Sequence, residues 1–362
     1  MESTKTVVTK ETKNKIQVDY EGKLSTKERL LKKVKTMNTW IKVAVNIFKF
    51  ILMLGISFVI IYPFIAKIAG SFMSPADIAD VTVSLIPRDF NLDQYKYIIV
   101  DNGYFVHVND LGVENMGAFF NTLLLSLICA VIQTMVACLI GYGLAKFKFK
   151  GNGLVMVLVV ITMIIPHSAL QLSIVKHFTA FDIGHVMSTG NLGILETLVG
   201  HKIELTNTFW PFVILSLGGI AFKNGLYIYM MRQFFKGVPD ELEESAYVDG
   251  SGTFRTFVQI ILPLSVPMMI TIFLFSFSWQ WTDQTYTNFF FAGPDRPWVM
   301  PDIARKIPSS FEIIYAGHPV FSLFENVVKN TASLMIIAPL VVMYLFCQKY
   351  LVQGIERSGL VG

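Results

Sequence analysis

Six stretches of this 362-residue chain are apolar over roughly the 20 residues that cross a bilayer core about 30 Å thick at 1.5 Å per residue. They run Val45–Ala66, Ala118–Ala145, Leu154–Leu172, Phe209–Met231, Ile260–Trp281 and Asn330–Tyr350. Only helices and closed barrels satisfy their own backbone polar groups in lipid, and runs of this length read as helices. Composition agrees, with 53% hydrophobic and 15% charged residues where a soluble domain has roughly a quarter charged. The expected fold is an all-α integral membrane protein with six transmembrane helices.

The fourth run is the weakest, because Lys223 and Asn224 interrupt it. A lysine near a helix centre costs about 2.5–3.5 kcal/mol on insertion. The run is expected as an outer apolar half, Phe209–Phe222, that continues as a helix and emerges near Arg232. Lys223 must then reach the interface or face protein.

Charge sets the orientation. Residues 1–42 hold eleven Lys or Arg against five acids, and they read as a cytoplasmic N-terminal arm whose Ser25–Lys42 portion is helical. Lys146, Lys148 and Lys150 follow the second run, Arg232 and Lys236 the fourth, and Lys349 and Arg357 the sixth. Ser71–Met116 carries seven acids and two bases, which fits the outside. Both termini are therefore expected in the cytoplasm, with the transmembrane domain over 43–362 and a cytoplasmic loop at 237–253.

Several functions are disfavoured by the residues present. The net charge of +4 comes from the arm and the span ends and gives no reason to expect nucleic acid. Cys129, Cys138 and Cys347 lie in apolar runs without metal or disulfide spacing. The histidines lack metal spacing, and Ser74, Ser126 and Ser251 lack the context of a hydrolytic nucleophile. No Gly-x-x-x-x-Gly-Lys-Ser/Thr loop is present, so ATP has no visible phosphate cradle here.

The loop between runs four and five is the most specific motif. It reads Gly237-Val-Pro-Asp-Glu-Leu-Glu-Glu-Ser-Ala-Tyr-Val-Asp-Gly250 and runs on to Ile260-Ile-Leu-Pro263. Gly237 suits the end of one helix, Pro239 and the acids after it suit the start of the next, and Gly250 suits its end. Ser251 or Thr253 is expected to cap the helix that follows. The spacing predicts a helix of about ten residues, roughly 15 Å long. Leu242, Ser245 and Ala246 fall at i, i+3 and i+4, a small apolar stripe suited to another protein's groove. A short amphipathic helix lying on the bilayer would have a similar pattern.

Glu244-Ser-Ala246, Gly250 and Ile260-x-Leu262-Pro263 resemble, at full spacing, the EAA loop of bacterial ABC importer permeases. Ser245 stands where alanine is usual. Asn121-Thr-Leu-Leu-Leu-Ser, Gly141-Tyr-Gly-Leu-Ala-Lys146, Met230-Met-Arg-Gln-Phe-Phe235 and Trp279-Gln-Trp-Thr-Asp283 are similar to the carbohydrate-uptake subgroup, relatives of the inner maltose permease. The resemblance implies a type I ABC importer permease architecture, with a second homologous permease, two cytoplasmic ATPase subunits and an extracytoplasmic solute-binding protein as partners. It implies that Glu241, Leu242, Glu244, Ser245, Ala246, Asp249, Gly250 and Pro263 couple the spans to the ATPase. No cofactor is expected on this chain, and ATP and Mg are used by the partner ATPase. The rival readings are an ABC permease for another polar solute, a secondary transporter and a non-transporting membrane scaffold.

Polar groups within or beside spans tend to face protein or a watery path. Asn121, Gln133, His167, Gln171, Gln280, Asp283 and Asn330 are such groups. Sugars are held by amides, carboxylates and aromatic faces, so Asn121, Gln171, Trp279, Gln280, Trp281, Asp283 and Asn330 are the candidates for a carbohydrate path. The alternative for each is an interfacial anchor or a helix–helix hydrogen bond.

Overall fold

The computed structural model describes residues 37–108, 112–182, 203–294, 296–306, 317 and 321–357. The basic arm up to residue 36 lies outside them, as do His185, His201 and His318. The chain forms two units, Met1–Ala66 and Lys67–Gly362. The first holds most of helix α1 (Met37–Gly70), which is apolar all round, the pattern of a helix surrounded by lipid.

In the second unit the helices are α2 (Ala118–Lys146), α3 (Asn152–Ile164), α4 (His167–Thr179), α5 (Trp210–Leu217), α6 (Asn224–Lys236), α7 (Glu241–Val248), α8 (Leu262–Trp281) and α9 (Phe321–Arg357). A small antiparallel hairpin, β1 (Val106–Val108) with β2 (Glu114–Met116), departs from the all-α expectation. It pairs His107 with Asn115 just before α2.

Helix α2 is the centre of this unit, packed on both α6 and α8, and α9 packs on α8. Apolar side chains gain little from leaving lipid for protein, so close packing must hold these helices together. Gly141 makes the α2–α6 contact, because a Cβ there would sit 2.6 Å from Met231 Cβ. Tyr142, Tyr227, Met231, Phe235, Phe257, Ile261 and Met268 fill the core around that crossing.

The six expected spans appear only in part as continuous helices. Among the described residues four helices are long and apolar enough to cross a membrane, and the pair α3–α4 is bent by 99°. The third run breaks at Pro166, which lacks an N–H and drives Ile165 to an extended conformation with ψ 122°. The fourth run does not continue through Phe222 as a helix. It stops at Gly218, passes Gly219 and Lys223 at φ 69° and 67°, and restarts at Asn224.

Beyond α8 the chain forms short helices at Thr285–Phe290 and Met300–Arg305. Asp302, fully buried, fixes that segment: Arg296 donates to both its oxygens at 2.7 and 2.9 Å, Arg305 donates to it as well, and the Val299 N–H adds 3.1 Å.

Candidate functional site

Two arrangements stand out, a short helix outside the spans and a polar cavity at the break between α5 and α6. Helix α6 ends at Gly237, whose N–H bonds to the carbonyls of Gln233 and Phe234. Three acids, Glu241, Glu243 and Glu244, occupy the first turn of α7, where the helix dipole favours them. Its far end is a Schellman closure: Gly250 lies at φ 81°, its N–H bonds to Tyr247, and the Ser251 N–H bonds to Ala246 at 2.9 Å. The next helical turn has Gly252 at its cap without a side-chain bond, so neither Ser251 nor Thr253 caps it.

Ala246 is 5% exposed and, with Glu243, faces the chain's own core. It therefore does not share an outward stripe with Leu242 and Ser245. The outward side carries Glu241, Leu242, Glu244, Ser245 and Asp249, with Val248 at 87% and the nearby Phe254 at 79% exposed. Water alone gives such residues no reason to stand out together. Pro263 is exposed in the first turn of α8, after a π-helical turn at Phe257–Ile261.

Lys146 fixes the loop. Its ammonium donates to the Val238 carbonyl at 2.7 Å and to the Asp240 carboxylate at 2.5 Å. The hydrogen bond and charge of Lys146 hold the Asp240 carboxyl below its usual range.

The cavity is lined by Gln133 of α2, Ser216 of α5, Phe222 in the break, and Ser276, Trp279, Gln280, Asp283 and Tyr286 in and after α8. Gln133 donates to Ser216 at 3.1 Å and accepts from Ser276 at 2.7 Å. Among the described residues the Gln280 amide nitrogen has no hydrogen-bond partner. About 20 Å³ is open, room for a single water and not for a sugar ring.

Asp283 caps the helix Thr285–Phe290 by accepting from the N–H groups of Thr285, Tyr286 and Thr287 at 3.0, 3.3 and 3.2 Å. Burial pushes its carboxyl up to about 6, against those three bonds. Tyr286 and His167 share a 2.6 Å hydrogen bond. Lys223 stands over Phe222 and Trp279, 4.8 and 5.0 Å from the ring centroids. Two such contacts supply about 0.5–2 kcal/mol each, against about 2.5–3.5 kcal/mol for a lysine within a span.

Of the path candidates, Trp279, Gln280 and Asp283 meet in this cavity. The other four do not line it. Trp281 is wholly buried and donates to the Ile336 carbonyl at 2.9 Å. Asn121 donates to the carbonyls of Met116 and Trp298 at 2.8 and 3.0 Å, in a separate cleft. Gln171 is buried on α4 and Asn330 half-buried on α9. Ser216, Ser276 and Tyr286 were not expected as members; only their helix neighbours in space make them so.

A bundle of helices long and apolar enough to cross a membrane several times defines a multi-pass membrane component. The chain belongs to the family described as the binding-protein-dependent transport system inner membrane component, whose pattern matches residues 133–357. That family consists of transport components, not enzymes. The galactooligosaccharides transport system permease protein GanQ of Bacillus subtilis is 24% identical over 322 residues, 87% of this chain and 95% of that protein. The polygalacturonan/rhamnogalacturonan transport system permease protein YtcP of Bacillus subtilis is 26% identical over 329 residues, covering 87% and 97%. The maltodextrin transport system permease protein MalD of Streptococcus pneumoniae is 25% identical over 320 residues, covering 86% and 93%. Among solved structures, a chain of a bacterial ABC transporter involved in the import of the acidic polysaccharide alginate has the same fold, with TM-score 0.58, 18% identity, and 87% of this chain and 98% of that one covered.

Proposed function

We propose that this chain is a carbohydrate permease of an ATP-binding-cassette importer, forming half of a translocation path in the cytoplasmic membrane. Helix α7 carries the reading: a short helix, closed by Gly250 at φ 81° and bearing an exposed Val248, suits a groove on a cytoplasmic ATPase. Glu241, Leu242, Glu244, Ser245, Asp249 and Gly250 form or shape its outer side, Ala246 seats it on the bundle, and Pro263 starts the helix that receives the push. ATP and Mg belong to that ATPase.

A second, homologous permease completes the pore, and an extracytoplasmic binding protein delivers the sugar. Both termini lie in the cytoplasm, in keeping with the charge asymmetry around the spans. The broken fourth run and the bent third then supply the fifth and sixth crossings. The oligosaccharide permeases above support a saccharide as substrate, with Trp279 as a stacking face and Gln280 as a donor on its path.

Reconstitution of the complex tests this reading. Sugar-loaded binding protein is expected to stimulate ATP hydrolysis, and uptake is expected to stop without ATP. Uptake driven by an ion gradient alone would favour a secondary transporter, and no uptake with no stimulation would favour a scaffold.

A further inference from the structure

The adjoining cavity carries a cation, Lys223, that meets aromatic rings but no anion among the described residues. It holds about 110 Å³ and is lined by Thr162, Met163, His167, Phe222, Lys223, Gly225 and their neighbours, with no carboxylate among them. Among the described residues no acid lies within salt-bridge distance of Lys223. The nearby cavity's acid, Asp283, already spends both oxygens on the N–H groups of Thr285, Tyr286 and Thr287.

The backbone is strained to keep the lysine there. Lys223 lies at φ 67°, a region that a residue with a Cβ adopts at a cost and that persists only where surroundings impose it. Its ammonium lies over Phe222 and Trp279, and Phe222 and Ala221 line both cavities. A cation and the Phe222 ring thus border this cavity, and the Gln280 amide nitrogen, without a partner among the described residues, borders the adjoining one. Together they offer a partner for a carboxylate, a surface for sugar C–H groups and a donor for a hydroxyl oxygen. A neutral sugar would use the last two and leave the cation unanswered.

We infer that Lys223 is the specificity residue for a negatively charged sugar, receiving the carboxylate of a uronate unit as it passes the break between α5 and α6. This rests on the carbohydrate-permease reading. The test uses the transporter purified with its native partners in lipid nanodiscs, and measures binding of radiolabelled galacturonate trisaccharide and galactose trisaccharide by equilibrium dialysis. The wild type binds the galacturonate compound more tightly. Lys223→Asn, whose side chain suits the left-handed backbone, weakens galacturonate binding about tenfold or more, the loss of one charge-assisted bond, and leaves galactose binding unchanged. Lys223→Arg keeps the preference. Equal binding of both sugars by the wild type overturns the inference, as does a Lys223→Asn variant that weakens both sugars alike or neither. If the wild type binds neither sugar, this inference is overturned, while the carbohydrate-permease reading is judged by the uptake test above.

Discussion

Lys146, the last residue of α2, reaches across to Asp240 at 2.5 Å and ties the end of a buried membrane helix to the entrance of α7. The Lys146 side chain is 7% exposed, whereas that of Asp240 is 77% exposed. The lysine is therefore the fixed member and the acid closes over it, with the Val238 carbonyl as second acceptor. The pair is a direct polar link between the start of α7 and the end of α2.

Asp240→Asn is expected to reduce uptake per ATP hydrolysed without abolishing it, since Val238 still holds the ammonium. The wild-type Asp240 carboxyl is held low by Lys146, so the tether is present above the ordinary aspartate range and is lost only as pH falls through that lowered value. From about pH 6 to 8 the pair stays charged, so it should give coupling no pH dependence over that range. Uptake-to-hydrolysis ratios in proteoliposomes across that range check both points.

Gly250 is expected to tolerate asparagine and reject valine. A Cβ at this position meets nothing within 4 Å, so space is not the constraint; the φ of 81° is. Gly250→Asn should stay near wild type, and Gly250→Val should cost about 1–2 kcal/mol in local helix closure. Uptake at matched membrane levels reads the difference, and equal loss in both variants would point to blocked docking in place of backbone strain.

Adjacent residues Gln280 and Trp281 should separate cleanly. Trp281→Ala removes a wholly buried ring and its bond to Ile336, a loss of about 3–5 kcal/mol, and should impair assembly. Gln280→Ala removes an amide whose nitrogen has no partner among the described residues and should leave assembly intact while weakening uptake. Thermal stability of the purified complex, read beside uptake, distinguishes them.

Asp283→Ala should resemble a folding variant more than a substrate variant, because it strips three N–H groups of their acceptor at about 1 kcal/mol or more apiece. Asp283→Asn, which keeps an acceptor oxygen, should retain most of the stability. Melting temperatures of the two variants provide the comparison.

The helical bundle and α7 were legible because apolar run length and the glycine-bounded acidic turn are local signals. The two breaks were not, although Pro166 and Gly218-Gly219 were in plain view. Averaging hydropathy over a long window hides a single residue that ends a helix. Trp279 and Trp281 were grouped although two helical positions differ by about 200°, on nearly opposite faces. Lys223 was visible as a cost, but its rings come from Phe222 beside it and from Trp279, 56 residues away, a pairing that only the tertiary fold creates. Ala246 sits on the expected stripe, yet the bundle beneath α7 decides that it faces inward.

The most direct test of the coupling role is a single cysteine in an otherwise cysteine-free chain, Val248→Cys, at the most exposed apolar position of α7. In the assembled transporter a short bifunctional thiol reagent should link it to a cysteine in the ATPase groove, and linking should stop ATP-driven uptake. If the position cross-links to no ATPase cysteine in a complex that still transports, α7 does not dock there and the account is contradicted.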